Sequence, residues 1–222
     1  QMVPNAMAHA QGDTIAAQDL KELVVVGTAP GSHGPSDRPL GSLDNYLAKS
    51  STVNMIRRGS YAWEPMLNGM ATERSVITVD GMRIYGACTD KMDPVTSYVE
   101  TANLSSARIK SGASGGEHGG TIAGSIDLER RRSGFTTQRR VGGTASAGFE
   151  SNNTQRILGG ALHYGSRAFY TDVDLTYRKA ENYHAGPRND APSEVRYSQY
   201  TKYNLSSIAG YKLNEHHEVE AS

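Results

Sequence analysis

Period-two alternation of apolar and polar residues marks the second half of the chain. Residues 169–178 place Phe, Thr, Val, Leu and Tyr on one face and Tyr, Asp, Asp, Thr and Arg on the other. Residues 203–213 repeat this pattern, and the Gly- and Ala-rich residues 141–150 and 156–164 follow it more weakly. Such alternation predicts four antiparallel strands, each with one apolar and one polar face.

Two kinds of sheet fit these strands. A soluble antiparallel sheet, which is the commoner case, turns its apolar face toward a core. A transmembrane β-barrel has strands of about 10 residues with interfacial tyrosines, long loops on one side and short turns on the other. The polar loop at 181–199 and the tight turn at 214–217 match the barrel, of which four strands would form only a part.

The first half of the chain predicts shorter, mixed elements. Asp80-Gly81 between two β-prone runs predicts a hairpin over residues 76–85, because both central residues of a type I′ turn need positive φ. Ser42 as N-cap, with Leu43 and Leu47 on one face, predicts a short helix. The other predictions are a strand at 53–56, a second short helix beginning near Pro94 with Asp93 as its cap, a glycine-rich loop at 112–120 and a strand at 122–128.

Composition narrows the classes of function. The 23 basic and 23 acidic residues cancel, so no net field favours nucleic acid or an anionic surface. No apolar run approaches the ~20 residues of a membrane-spanning helix. The glycine-rich loop lacks GK[ST] and precedes a strand, which excludes a nucleotide-binding loop. No Ser-His-Asp order, HExxH motif or carboxylate pair stands out, so the sequence predicts no enzymatic activity and no catalytic cofactor.

The loop after the hairpin carries the candidate chemistry. The only cysteine, Cys88, precedes Met92 by four residues. Thiolate and thioether sulfurs are soft donors, and together they favour Cu(I) over Mg²⁺ or Ca²⁺. A lone cysteine, however, is usually a small buried residue, and methionine is common core filler. Taken alone, the two residues leave metal binding and simple packing both open.

The N-terminal region also leaves alternatives. Ala8-His9-Ala10 fits a signal-peptidase pattern without the charged and apolar regions that precede one, so residues 1–18 are a signal-peptide remnant or a disordered tail. The β-prone residues 23–28 are either the first strand of the next domain or an extended peptide that a partner captures by strand addition.

Together, these features resemble the N-terminal part of a TonB-dependent outer-membrane receptor. The similarity rests on the run at 22–29, on the "DG" hairpin at 74–83 and on the glycine-rich segment at 112–126. It implies an α+β plug domain with the TonB-box region at 19–133, followed at 138–222 by the first antiparallel strands of a transmembrane β-barrel that is incomplete in this chain. The implied location is the Gram-negative outer membrane, with the plug inside the barrel facing the periplasm.

The resemblance is most specific at GACTDKMDP, residues 86–94. This stretch is similar to the plug loop of the copper receptors of the family, where a CxxxM pair holds the metal. By resemblance, Cys88 and Met92 are the plug-side ligands, and copper is a cargo. The remaining ligands of those receptors, a His and a Met, come from barrel strands beyond this fragment.

The resemblance also implies partners. A TonB-type periplasmic energy-coupling protein would bind the TonB-box region, which corresponds to Leu23, Val24, Val25, Val26, Gly27 and Thr28. The other implied partners are outer-membrane lipid and copper or another small cargo, with no nucleic acid. Two alternatives to a copper receptor remain open: a receptor for a siderophore or other nutrient, and a secreted β-rich binding domain in which Cys88 is structural.

Overall fold

The computed structural model describes residues 23–25, 41–61, 63–112, 117–186 and 193–222. Within these residues the strands form two five-stranded sheets and one two-stranded sheet. The helix α1 spans Leu43–Leu47, and single 3₁₀ turns cover Thr72–Arg74, Val95–Ser97 and Thr101–Asn103. The strands are β1 (Leu23–Val25), β2 (Val53–Arg57), β3 (Trp63–Leu67), β4 (Ser75–Val79), β5 (Met82–Arg83), β6 (Leu104–Ser111), β7 (Gly124–Arg130), β8 (Arg140–Glu150), β9 (Gln155–Gly165), β10 (Phe169–Ala180), β11 (Tyr200–Lys212) and β12 (Glu218–Ala221).

The first sheet has the order β1-β6-β7-β4-β5, with β4 and β7 parallel and the other neighbours antiparallel. The strands β4 and β7 are buried on both faces over most of their length, although β7 alternates Ile126 and Leu128 with the polar Ser125 and Asp127. Ile77, Ile109 and Ile126 form one core with Leu43 and Leu47 of α1. Burying each such side chain contributes roughly 1.5–3 kcal/mol relative to leaving it exposed.

The predicted hairpin is confirmed. Asp80 has φ 52° and Gly81 has φ 78°, the positive values that the turn requires. The strands β4 and β5 pair directly on either side of the turn, with Val79 opposite Met82. The Asp80 carboxylate also accepts hydrogen bonds from Arg130, from the backbone N–H at 2.8 Å and from Nε at 2.5 Å. This side chain therefore ties the turn to the end of β7.

Several short elements differ from the prediction. The helix α1 does follow Ser42, but the Ser42 side chain makes no capping bond, and its Oγ instead accepts a hydrogen bond from Asn45 Nδ2 at 2.9 Å. The second helix is only the 3₁₀ turn Val95–Ser97, with Pro94 in the N-cap position. The strand expected from residue 122 begins at Gly124, because the Gly124 N–H donates to the Thr121 hydroxyl at 2.9 Å in a local turn.

Three strands lack a period-two signal in the sequence. The strand β6 has a bulge between Leu104 and Ser106 that shifts the phase of its buried residues. The strand β3 contains Pro65, which is tolerated because β3 pairs only with β2. The polar, four-residue β12 is defined by its pairing with β11. The second sheet therefore has five strands in the described residues, not the four that were predicted.

The second sheet is an antiparallel meander of the order β12-β11-β10-β9-β8. Its main strands are 11–13 residues long. In β10 the polar residues Asp172, Asp174 and Arg178 are buried, whereas Val173 and Leu175 are exposed. A soluble sheet would have the opposite polarity. The burial therefore matches the barrel alternative, in which apolar side chains face outward.

Within the described residues this sheet is open, with β8 and β12 as its edge strands. The chain thus combines an α+β domain with antiparallel strands of an incomplete barrel. Among the same residues, no helix has the length and apolar character needed to cross a membrane.

Candidate functional site

The hairpin formed by β4 and β5 is followed by a surface loop that carries Cys88 and Met92. The last sheet-like contact is the Ile84 N–H, which donates to the Ile77 carbonyl at 3.1 Å. The chain then forms a turn at the candidate ligands, in which the Lys91 N–H donates a hydrogen bond to the Cys88 carbonyl at 3.0 Å. Lys91 has φ 59°, a left-handed conformation that non-glycine residues seldom adopt. Cys88 therefore begins a tight turn that ends at Lys91, and Met92 follows directly after it.

The C-terminal end of this turn is fixed by Asp93. Its carboxylate accepts hydrogen bonds from Ser97 Oγ at 2.5 Å and from the Tyr98 hydroxyl at 2.8 Å. The same Tyr98 oxygen accepts a hydrogen bond from the Ala87 N–H at 2.9 Å. Asp93 and Tyr98 therefore link the residue before Cys88 to the residue after Met92.

The middle of the turn is anchored through a lysine. Lys91 Nζ lies 3.1 Å from Glu64 Oε1 and also contacts the Glu73 carboxylate. Glu64 is almost fully buried and is paired on its other side with Arg58 Nε at 2.8 Å. Burial alone would raise the pKa of Glu64, but the hydrogen bonds from Arg58 and Lys91 outweigh it and hold that pKa below its usual range. The carboxylate therefore stays ionised next to the ammonium.

Two glycines permit the turn to pack closely against its neighbours. A Cβ on Gly59 would lie 2.8 Å from the Met92 carbonyl oxygen, and one on Gly86 would lie 2.8 Å from the Asp93 carbonyl oxygen. Real Cβ atoms do not approach backbone so closely. Gly59 lies in the connection between β2 and β3, so this connection packs directly against the residue that follows the turn.

The two sulfur-bearing side chains remain accessible on this fixed turn. Cys88 is partly buried and has a free thiol, and Met92 is 55% exposed. Cys88 also lines a cavity of about 300 Å³ whose wall includes Glu64, Glu73 and Lys91. Among the described residues, no group of three or more His, Cys, Asp or Glu side chains could hold a metal ion.

The turn lies at the end of the domain that contacts the long loop between β10 and β11. Ser60 Oγ donates to the Tyr197 carbonyl at 3.0 Å, and the Arg57 guanidinium lies 4.6 Å above the Tyr183 ring. Because Gly59 lies between these two residues and touches Met92, the Cys88–Met92 turn and the long loop share one end of the molecule.

A buried ionic cluster joins the two sheets. Glu100, from the connection that precedes β6, accepts hydrogen bonds from Arg178 of β10 at 2.8 and 3.1 Å and from Lys202 of β11 at 2.6 Å. Tyr61 also donates to this carboxylate, at 3.3 Å. Burial would raise the pKa of Glu100, but the adjacent Lys202 and Arg178 charges lower it overall. The polar face of the second sheet therefore binds the first domain through charges.

The lowered pKa of Glu100 makes this cluster sensitive to acid. A carboxyl whose pKa is depressed in the folded state stabilises the fold above its ordinary pKa of about 4.3, and this stabilisation is lost as the pH falls through the folded value. We expect Glu100→Gln to be less stable than wild type at pH 7, and the difference to shrink at pH 3, because the stabilisation from an ionised carboxylate with a lowered pKa declines below its ordinary pKa of about 4.3. Urea unfolding at both pH values measures this, with Glu215→Gln in the exposed turn before β12 as control. An equal difference in stability between wild type and Glu100→Gln at both pH values would contradict this prediction.

Sequence reasoning identified the sulfur pair but missed the residues that hold it. Lys91 lies between Cys88 and Met92, and its charge in a candidate metal loop was a usable signal. Glu64 had none, because Lys91, the partner through which it anchors the turn, is 27 residues away in the sequence. The same is true of Glu100, whose partners Arg178 and Lys202 belong to the second sheet.

The predicted TonB-box region falls only partly within the described residues. Leu23–Val25 form β1, the edge strand of the first sheet, with Val24 opposite Arg108 of β6. Val26, Gly27 and Thr28 lie outside the described residues, as do residues 1–18. Capture of this run by a partner remains a prediction.

These features define a class of protein: a mixed α+β domain that covers the polar face of an antiparallel sheet whose apolar face points outward. Residues 35–125 match the family model described as the TonB-dependent receptor plug domain. Residues 35–125 therefore correspond to a TonB-dependent receptor plug domain, and antiparallel strands follow them in this chain.

Solved structures extend the similarity beyond the plug. The copper transporter OprC is 26% identical, with a TM-score of 0.70, and the match covers 80% of this chain. The FrpB iron transporter from Neisseria meningitidis is 17% identical over 78% of this chain, with a TM-score of 0.62. A mutant of the ferric enterobactin receptor PfeA from Pseudomonas aeruginosa is 13% identical over 89%, with a TM-score of 0.62.

The last two similarities concern the fold alone. The matched region spans 27% of the OprC and FrpB chains and 31% of the PfeA chain. No curated protein sequence matches this chain.

Proposed function

We propose that this protein is a TonB-dependent outer-membrane transporter that imports copper, with Cys88 and Met92 as a sulfur half-site on the plug. The observation that carries the proposal is the turn itself. It holds both sulfur residues accessible at the end that contacts the long β10–β11 loop. In a barrel of this kind the long loops are extracellular, so the turn would meet cargo as it arrives from outside.

The donor chemistry supports a soft ion. A thiolate and a thioether bind Cu(I) well and bind hard cations such as Mg²⁺ poorly. Met92 is far more exposed than a methionine that fills a core, which weighs against the packing explanation for this residue. The similarity to a copper transporter is consistent with this cargo. Two sulfurs leave a bound Cu(I) open to further donors, which in a receptor would come from the barrel.

The location and energy source follow from the same proposal. The outward-facing apolar side chains Val173, Leu175 and Leu205 are exposed here and would contact outer-membrane lipid. Uphill import without a nucleotide site requires an external energy source. A TonB-type periplasmic protein would supply it by binding the run at 23–28 through strand addition. The protein would act as a transporter and not as an enzyme.

The second candidate is a receptor for an iron chelate or another nutrient. The fold is shared with an iron transporter and with a ferric enterobactin receptor, which supports this candidate because one fold can serve several cargoes. The third alternative, a secreted β-rich binding domain, fits the structure poorly, because the exposed face of its sheet would be apolar.

Copper binding by single variants tests the proposal. We expect Cys88→Ala and Met92→Leu each to lower Cu(I) affinity at least about tenfold, equal to 1.4 kcal/mol, because each removes one soft ligand. The measurement is competition with a Cu(I)-specific chelator, using the full-length protein in detergent. Met82→Leu is the matched control, since Met82 is 52% exposed and lies on the same hairpin away from the turn. Equal copper uptake by wild type and Cys88→Ala would refute the copper assignment and leave the nutrient receptor as the better candidate.

A further inference from the structure

One tyrosine hydroxyl spans the stretch of chain that carries both sulfurs. The Tyr98 hydroxyl accepts a hydrogen bond from the Ala87 N–H at 2.9 Å and donates one to the Asp93 carboxylate at 2.8 Å. Ala87 directly precedes Cys88, and Asp93 directly follows Met92. A single oxygen atom therefore connects the two flanks of the candidate metal ligands.

This connection reaches further than the backbone turn does. The hydrogen bond from the Lys91 N–H to the Cys88 carbonyl closes a turn that stops one residue short of Met92. The two flanks nevertheless lie close together, because a Cβ on Gly86 would be only 2.8 Å from the Asp93 carbonyl oxygen. The placement of Met92 relative to Cys88 thus depends on contacts outside the turn.

Tyr98 is itself held in place and remains a hydrogen-bond donor. Its backbone carbonyl accepts a hydrogen bond from Asn204 Nδ2 of β11 at 3.0 Å, so the second sheet fixes this residue. Burial is the largest of the effects that raise the pKa of the Tyr98 hydroxyl, and the neighbouring Asp93 and Cys88 charges add to it. The hydroxyl therefore keeps its proton at neutral pH and can donate it to the Asp93 carboxylate.

We propose that Tyr98 is a positioning residue of the sulfur half-site, whose hydroxyl holds Cys88 and Met92 in the relative placement that one metal ion needs. This inference rests on the proposed copper function and adds the residue that prepares its ligands. Hydrogen bonds that orient metal ligands raise the affinity, because the bound geometry exists before the ion arrives, and their loss typically costs about 10–100-fold.

Tyr98→Phe removes this hydroxyl and little else. The ring remains, and the backbone carbonyl can still accept the hydrogen bond from Asn204. Tyr98 is 37% exposed and Ala87 is exposed as well, so water can replace the lost hydrogen bonds. We therefore expect the variant to fold, which makes its metal affinity interpretable.

Ser97→Ala is the matched control. The Ser97 hydroxyl donates to the same Asp93 carboxylate, at 2.5 Å. It approaches Asp93 from the chain that follows Met92, whereas Tyr98 also binds the residue before Cys88. The two variants therefore each remove one hydrogen bond to Asp93, but only Tyr98→Phe separates the two flanks.

Cu(I) affinity in the full-length protein in detergent, measured by competition with a Cu(I)-specific chelator, is the first test. We expect Tyr98→Phe to lower the affinity about tenfold and Ser97→Ala to lower it less than about threefold. In a Met92→Leu background, Tyr98→Phe should cost no more than about twofold, because only one plug sulfur remains to be placed. A merely structural role would lower the affinity equally in both backgrounds.

Alkylation of Cys88 gives a second readout that involves no metal. N-ethylmaleimide reacts with the thiol, and mass spectrometry of the peptide that contains Cys88 follows the rate. We expect the rate to rise about threefold or more in Tyr98→Phe, because the chain before Cys88 then opens more often. Ser97→Ala should react at the rate of wild type.

Three affinity results would overturn the inference. Tyr98→Phe could bind Cu(I) as tightly as wild type, lower the affinity equally with and without Met92, or have the same effect as Ser97→Ala. The copper function fails separately, if wild type shows no Cys88-dependent Cu(I) binding. The alkylation rate still tests the placement of Cys88 in that case, and an unchanged rate in Tyr98→Phe would overturn the positioning role.

Discussion

Arg178→Met is expected to destabilise the attachment of the plug to the second sheet by about 3–5 kcal/mol, the usual cost of removing one partner from a buried ion pair. Arg178 and Glu100 are each about 2% exposed, so water cannot replace the lost interaction. The Glu100 carboxylate would lose two N–H donors and keep Lys202 as its remaining charged partner. The midpoint of urea unfolding measures the effect, and hydrogen exchange of the β4, β6 and β7 amides shows whether the plug itself opens.

The neighbouring residue Lys179 provides the control. Its ammonium lies 3.9 Å from Glu181, and both side chains are about half exposed or more. Exposed pairs of this kind contribute about 0–1 kcal/mol, so Lys179→Met should leave the midpoint nearly unchanged. Equal shifts for the two variants would mean that the cluster does not hold the sheets together.

Gly124→Ala is expected to destabilise the plug by about 3 kcal/mol or more, because backbone strain and overpacking act together. Gly124 has φ 128°, a conformation that residues with a side chain rarely adopt. An added Cβ would also clash with the carbonyl of Lys110 on the paired strand β6. The parallel pairing of Ser75 with Gly124 begins at this position, so the clash would disturb the centre of the sheet.

Gly120→Ala is the matched control in the same glycine-rich segment. A Cβ at Gly120 would have no atom within 4 Å, and this glycine does not have the positive φ of Gly124. We expect its urea midpoint to stay within about 0.5 kcal/mol of wild type, as for most surface substitutions. If Gly124→Ala were equally harmless, the close approach of β7 to β6 would not constrain this site.

Local signals in the sequence predicted the features that depend on neighbouring residues. Asp80-Gly81 predicted its hairpin because the turn needs two positive φ values and few residue pairs supply them. The alternation along 169–178 predicted β10 because successive side chains in a strand point to opposite faces. The same reasoning failed for β6, where the bulge at Leu104 to Ser106 breaks the alternation.

The candidate site, too, was predictable from the sequence only in part. The CxxxM spacing made Cys88 and Met92 candidates, because residues within one turn are close together in any fold. Neither exposure nor rigidity of the turn could be read from that spacing. Both depend on Glu64 and Gly59, which approach from β3 and from the β2–β3 connection. Pairing at long sequence separation leaves no periodic pattern, so sequence reasoning did not find it.

The sequence by itself determined the hairpin, the alternating strands and the soft-donor pair, because each depends on the conformation or chemistry of residues close together in the chain. It did not determine which face of the alternating strands is buried, since a soluble sheet and a barrel wall have the same alternation. Only the tertiary structure decided this, by placing Asp172, Asp174 and Arg178 on the buried face and Val173 and Leu175 on the exposed one. The physical reason is that a buried charge needs a partner, and Glu100 of the plug provides one for Arg178.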